Sequence, residues 1–184
     1  TMPFSRLLID GWRQTEKYFP KQFSLQPHWE AFLTVEKQNE CLKTYGLDSS
    51  EKRKQTWFLH IRLGDYKVLP HHQIQATEYY IKAFEHIPSG SRVLLCSDEI
   101  HLCGTWVDAM CKKHGLECIP CLESDEITSL WLMSQCKGGA IVANSTFSWW
   151  GAYFARLTHP DPSSYKAYFP AVWGHGMPPA TDII

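Results

Sequence analysis

The sequence predicts an α/β domain built on a parallel sheet with helices on both faces. Two observations predict it. From Thr56 onward, short apolar runs alternate with segments of helix length, and turn or capping residues punctuate the changeovers. A chain of 184 residues with 44% apolar content is also large enough to bury the core such a sheet needs.

The first 55 residues read as a mostly helical lead-in and linker, and residues 56–184 as the α/β domain. The stretch Thr1–Phe23 carries Phe4, Trp12, Tyr18, Phe19 and Phe23 without clear periodicity. Pro27 suits the first turn of a helix that places Trp29, Phe32, Leu33, Leu42 and Tyr45 on or near one face and stops at Gly46. Asp48 to Gln55, with its Ser pair and Lys/Arg cluster, reads as a solvated connection.

Strands are expected at Thr56–Ile61, Arg92–Cys96, Leu116–Ile119 and Ala140–Ala143. Helices are expected at Ala76–Ile87, at Leu102–His114 with Gly115 ending it, from a Ser124 cap through Cys136, and from Thr146 to Leu157. Asp125 and Glu126 fall in the first turn of the third, where carboxylates are favoured, and Gly138 and Gly139 break the chain after it. Tyr79 and Tyr80 fit a helix face packed on the sheet.

Charge excludes some partners. With 18 basic and 19 acidic side chains the net charge is -1, so nothing marks a nucleic-acid-binding protein. No apolar run approaches the roughly 20 residues that span a bilayer. The seven cysteines include the CxxC spacing Cys118 to Cys121, with no second pair and no zinc-finger histidines. They read as small core hydrophobes in a reducing compartment, with a disulfide or redox role as the alternative. His71 and His72, being adjacent, are poor joint ligands, and no metal site is expected. Neither GxGxxG nor GxxxxGK[ST] occurs, which argues against NAD binding and P-loop hydrolysis.

Ligands of such sheets bind beyond the carboxyl ends of the strands, and three strand ends carry chemistry. The first runs into His60-Ile61-Arg62-Leu63-Gly64-Asp65-Tyr66. There His60 and Arg62 share a side, and Arg62 can fork onto a diphosphate or pair with Asp65 at the sheet rim. The second ends in Ser97-Asp98-Glu99, where a carboxylate can accept from a ribose hydroxyl or a guanine edge, or cap the next helix. The last enters Asn144-Ser145-Thr146-Phe147-Ser148 at a helix start, where side-chain donors and free N–H groups can converge on phosphate; Ser145 alone can equally be an N-cap.

These segments, with Tyr79-Tyr80, Leu130 to Cys136 and Phe147-Ser148-Trp149-Trp150-Gly151-Ala152, resemble the α-1,2-fucosyltransferases of glycosyltransferase family 11. Gly11 to Phe19, Pro170 and Trp173 extend the resemblance over most of the chain. It implies one Rossmann-like half of a two-Rossmann-domain, GT-B type enzyme. The implied reaction moves L-fucose from GDP-fucose to a galactose-type hydroxyl with inversion and without a metal or other cofactor.

By the same resemblance Arg62 binds the β-phosphate, His60 and Asp98 lie near the guanosine, and Ser145, Thr146 and Ser148, with Asn144, serve the pyrophosphate region. Asp65 is the first candidate for general base, ahead of Glu99 and His71, or else it orients Arg62. Partners are then a nucleotide sugar and a glycan acceptor. The Gly-rich opening of an N-terminal acceptor half has no counterpart here, so the chain is expected to be the C-terminal part of a larger protein or a shortened one. That leaves two alternatives: a non-catalytic GDP-sugar or glycan-binding domain, and a transferase using another GDP-sugar. Reduced cysteines point to the cytoplasm, and an anchor outside this stretch would point to the Golgi lumen.

Overall fold

Five short strands form a single parallel sheet in the computed structural model, which describes residues 28–69 and 72–174. Thr1–Phe23, with its segment Gly11 to Phe19, and also Pro27 and His71 lie outside the described residues. In chain order the elements are α1 (Val35–Thr44), α2 (Ser50–Gln55), β1 (Thr56–Ile61), α3 (Thr77–Phe84), β2 (Arg92–Ser97), α4 (Ile100–Lys113), β3 (Glu117–Pro120), α5 (Glu126–Gln135), β4 (Gly139–Ile141), α6 (Thr146–Leu157) and β5 (Ala167–Tyr168). The strand order is β3-β2-β1-β4-β5.

Every residue of β1 is buried, as a strand covered on both faces requires. Alternation sorts its side chains. Phe58, with Leu94, Ala140 and Val142, meets Leu132, Met133, Ala152 and Ala155 of α5 and α6 and also Cys41, Tyr45 and Leu47 of the lead-in. Trp57, Leu59 and Ile61, with Val93 and Leu95, meet Tyr80 and Phe84 of α3 and Val107 and Cys111 of α4 on the other face. A third cluster joins Trp149 of α6 to Trp173 near the end of the described chain.

The entry to β4 depends on two glycines. A Cβ on Gly138 would lie 2.9 Å from the carbonyls of Lys54 and Thr56, and one on Gly139 would lie 2.5 Å from the Trp57 ring. Only bare backbone fits there, so the pair that reads in sequence as a helix breaker also lets β4 seat against β1.

Four sequence expectations need correction. The helix expected from Pro27 to Tyr45 is a 3₁₀ turn, Trp29–Ala31, followed by α1, because the Thr34 hydroxyl accepts from Lys37 N and fixes the helix start there. Phe32 consequently stands 70% exposed. Asp48 to Gln55 holds α2, capped by the Ser49 hydroxyl and braced by Lys52–Asp48 and Lys54–Glu51 pairs. The cap of α5 is Asp125, whose carboxylate accepts from Ile127 N and Thr128 N, and Ser124 stays outside. Finally a fifth strand, β5, extends the sheet beside β4. Gly46 does end α1: at φ +60 it admits the bond from Leu47 N to Leu42 O.

Candidate nucleotide site at the sheet switch point

The chain leaves β1 toward β2 and β3, then returns across the sheet to place β4 on the other side of β1. The carboxyl ends of β1 and β4 therefore diverge into a crevice, the place where doubly wound sheets bind ligands. A cavity of about 850 Å³ opens there, lined from all sides by strand ends: His60, Arg62, Asp65 and Tyr66 at and beyond the end of β1, Cys96 to Asp98 at the end of β2, Cys121 and Glu123 after β3, and Ser145 to Phe147 after β4.

Arg62 is the first residue beyond β1, and two carboxylates fix it. Asp65 Oδ1 accepts from Nη2 at 2.7 Å and from Nε at 3.1 Å, and Asp98 Oδ2 stands 3.3 Å from Nη1. The guanidinium also lies 5.5 Å from the Tyr66 ring centre, within cation–π range. Asp98 is held in turn by Leu63 N, 3.0 Å from its Oδ1. Gly64 makes this possible, because a Cβ at that position would collide with Asp98 Oδ2. A planar, permanently charged fork oriented on two sides but one-third exposed suits an anionic ligand.

His60, the penultimate residue of β1, is 3% exposed and faces Phe147 at 5.7 Å between ring centres. Burial pulls its pKa down from 6.5 to about 4, more than the nearby Asp98 charge pulls it up. It is therefore a neutral imidazole at neutral pH. Its Nδ1 is buried and has no hydrogen-bond partner among the described residues. An unsatisfied buried nitrogen in a cavity wall is an uncommon feature, and a ligand hydroxyl or N–H would satisfy it.

The α6 terminus divides into residues that face the cavity and residues that hold it together. Ser145 and Thr146 line the cavity, and the Ser145 side chain makes no capping bond to α6. Asn144 and Ser148 are not on its lining. Both are buried: Asn144 Nδ2 donates to Gln73 O and Trp173 O, and Ser148 Oγ donates to Ala143 O and Ser145 O. Tyr66 closes the same corner, donating to Asn144 O at 2.9 Å and stacking on His72 at 4.3 Å. Glu99 pairs with Lys67. Trp149 packs against Tyr153 and Trp173 rather than on the cavity.

The sequence reading gives Tyr66 and Trp173 no role in the site, weighs His72 only as a metal ligand, and passes over the β3 end. Leu116–Ile119 reads as a strand, so applying the strand-end rule to its exit would have singled out Cys121 and Glu123. Glu123 is held by Tyr45 OH at 3.0 Å and Lys37 Nζ at 3.3 Å, which ties α1 to the cavity wall. Among the described residues no group of three or more His, Cys, Asp or Glu side chains is placed to hold a metal ion, and no helix is long and apolar enough to cross a membrane.

Fold and site together define a Rossmann-like α/β domain whose switch-point cavity presents one anchored cation opposite a helix N-terminus. Comparison with known proteins makes the assignment specific. The family model described as glycosyl transferase family 11 matches residues 10–158, and the chain belongs to that family of GT-B type glycosyltransferases. Two Escherichia coli proteins are similar to it. The O-antigen biosynthesis glycosyltransferase WbnK is 31% identical over 149 residues, covering 74% of this chain and 48% of that protein. An alpha-1,2-colitosyltransferase is 33% identical over 111 residues, covering 52% of this chain and 34% of that protein. The chain thus aligns with about half, or less, of the length of these curated relatives.

Proposed function

We propose that this chain supplies the donor-binding domain of an inverting glycosyltransferase that moves L-fucose from GDP-fucose to a galactose-type hydroxyl of a glycan. The observation that carries this reading is Arg62, clamped by Asp65 and Asp98 in a switch-point cavity that also takes in Ser145 and Thr146 at the start of α6. The diphosphate sits between the guanidinium and the N–H groups of that helix start. His60 and Asp98 face the nucleoside.

In the reaction the acceptor oxygen bonds to the anomeric carbon as the bond to the diphosphate breaks on the opposite side, GDP departs with the electron pair, and the hydroxyl proton is released to water. Negative charge grows on the diphosphate, and Arg62 with the α6 terminus takes it up. One such preorganised contact is worth about 3 kcal/mol in the transition state, roughly a hundredfold in rate. Asp65 acts through Arg62 as a positioning residue, since one of its oxygens is committed to two of the three guanidinium nitrogens. Acceptor binding calls on a second half, in keeping with the chain's share of its relatives' length. The seven unpaired thiols fit a reducing compartment such as the cytoplasm.

A second reading, another GDP-sugar as donor, is favoured by the relative named for colitosyl transfer. Calorimetric titration with GDP-fucose and GDP-mannose, followed by transfer assays on a galactoside, tests the donor. Tighter binding of GDP-fucose and transfer of fucose are expected. Equal binding of GDP-mannose would remove fucose from the proposal.

A further inference from the structure

Two thiols in the cavity wall have no part in donor binding or transfer as described. In the parallel pair of β2 and β3 the last matched residues are Leu95 and Pro120. One step further along, Cys96 and Cys121 stand side by side, with Cys121 N donating to Leu95 O at 2.8 Å. Both side chains line the cavity, at 4% and 6% exposure. They belong to the same face of the sheet, and Cys118 belongs to the opposite face, beside Cys111. The CxxC spacing therefore does not pair its own two cysteines, because residues three apart on an extended segment point to opposite sides.

Neighbouring strands run about 4.8 Å apart, inside the roughly 4.4–6.8 Å between Cα atoms that a disulfide spans. Cys121 lies just beyond β3, and among the described residues β3 is an edge strand with no ladder on its outer side to resist the small adjustment. The chemistry is also asymmetric. The neighbouring Cys96 thiol draws the Cys121 pKa down to about 7 against the effect of burial, and the same proximity pushes the Cys96 thiol up.

We propose that Cys96 and Cys121 form a redox-active dithiol in the wall of the donor cavity, oxidised by a peroxide to an intramolecular disulfide and shielded from it by bound nucleotide. The Cys121 thiolate attacks the peroxide, breaking its O–O bond to give a sulfenic acid and hydroxide. The Cys96 thiol then attacks the sulfenic sulfur, forming the S–S bond and releasing water. A small-molecule dithiol reverses the change by exchange, becoming oxidised itself. The shielding rests on the nucleotide reading above; the dithiol does not.

The test treats the reduced chain with hydrogen peroxide, with and without GDP, and follows intact mass and peptides mapped without reduction. A loss of about 2 Da per chain, with peptides linked through Cys96 and Cys121 and restored by dithiothreitol, is the expected result. Cys96→Ser should abolish the link and leave a sulfenic acid at Cys121 that dimedone traps. Cys121→Ala should abolish both. GDP at ten times its dissociation constant should slow the link about tenfold, since about one site in ten remains open. Linkage through Cys111 and Cys118 alone, or none at all, overturns the dithiol. If the link forms and calorimetry shows no GDP binding, the nucleotide reading falls and the dithiol stands. If GDP binds and the link forms at an unchanged rate, the pair does not share the nucleotide's cavity.

Discussion

Replacing His60 by Phe should make the protein less sensitive to acid. The imidazole is 3% exposed, and burial lowers its pKa from 6.5 to about 4. Between those values the unfolded chain binds a proton that the folded chain refuses, so stability is full above about pH 6.5 and is lost as pH falls toward 4. The whole difference corresponds to about 3 kcal/mol, with about 1.4 kcal/mol already gone at pH 5.5 and about 2.5 kcal/mol at pH 4.5. Phe keeps an aromatic ring against Phe147 and has nothing to titrate. Urea unfolding of both proteins from pH 7.5 to 4.5 measures the effect: the wild type should lose stability faster than His60→Phe by these amounts. Parallel pH profiles would show that His60 is hydrated in the folded protein and would refute its placement as a buried, neutral side chain.

Three further outcomes follow from the geometry. Gly64→Ala should push Asp98 away from Arg62 and Leu63 N and weaken GDP binding about tenfold, or about 1.4 kcal/mol, with circular dichroism unchanged. Asn144→Ala removes two hydrogen bonds to Gln73 O and Trp173 O from a buried corner and should cost about 2 kcal/mol of stability, seen as a lower urea midpoint. Gly139→Ala drives a methyl group into the Trp57 ring and should destabilise by about 1–3 kcal/mol, whereas an unchanged midpoint would contradict the seating of β4.

Local pattern carried far in this sequence. The run Thr56–Ile61 is apolar apart from Thr56 and His60, and the observed β1 has the same bounds; Thr146–Leu157 likewise coincides with α6. Arg62 and Asp98 are legible because they directly follow strands, and Asp65 because it lies in the turn just after the first, and the structure brings both carboxylates onto Arg62. Strand order is written in no local run. That β3 lies beside β2, putting Cys121 next to Cys96, depends on pairings across tens of residues. Nor does composition at a helix start tell which side chains turn inward: Asn144 and Ser148 satisfy backbone carbonyls, and Ser145 and Thr146 face the cavity. Thr34 was the overlooked stop within the lead-in, a capping residue hidden by the apolar pattern on either side of it.

The most direct test of the donor-binding claim is a calorimetric titration of GDP into the wild-type chain and into Arg62→Ala, with UDP and ADP as controls. Wild type should bind GDP in preference to the other two, and loss of Arg62 should weaken GDP at least about tenfold, as expected for a charge-assisted bidentate contact. GDP affinity unchanged by Arg62→Ala, or UDP bound as tightly as GDP, would contradict it.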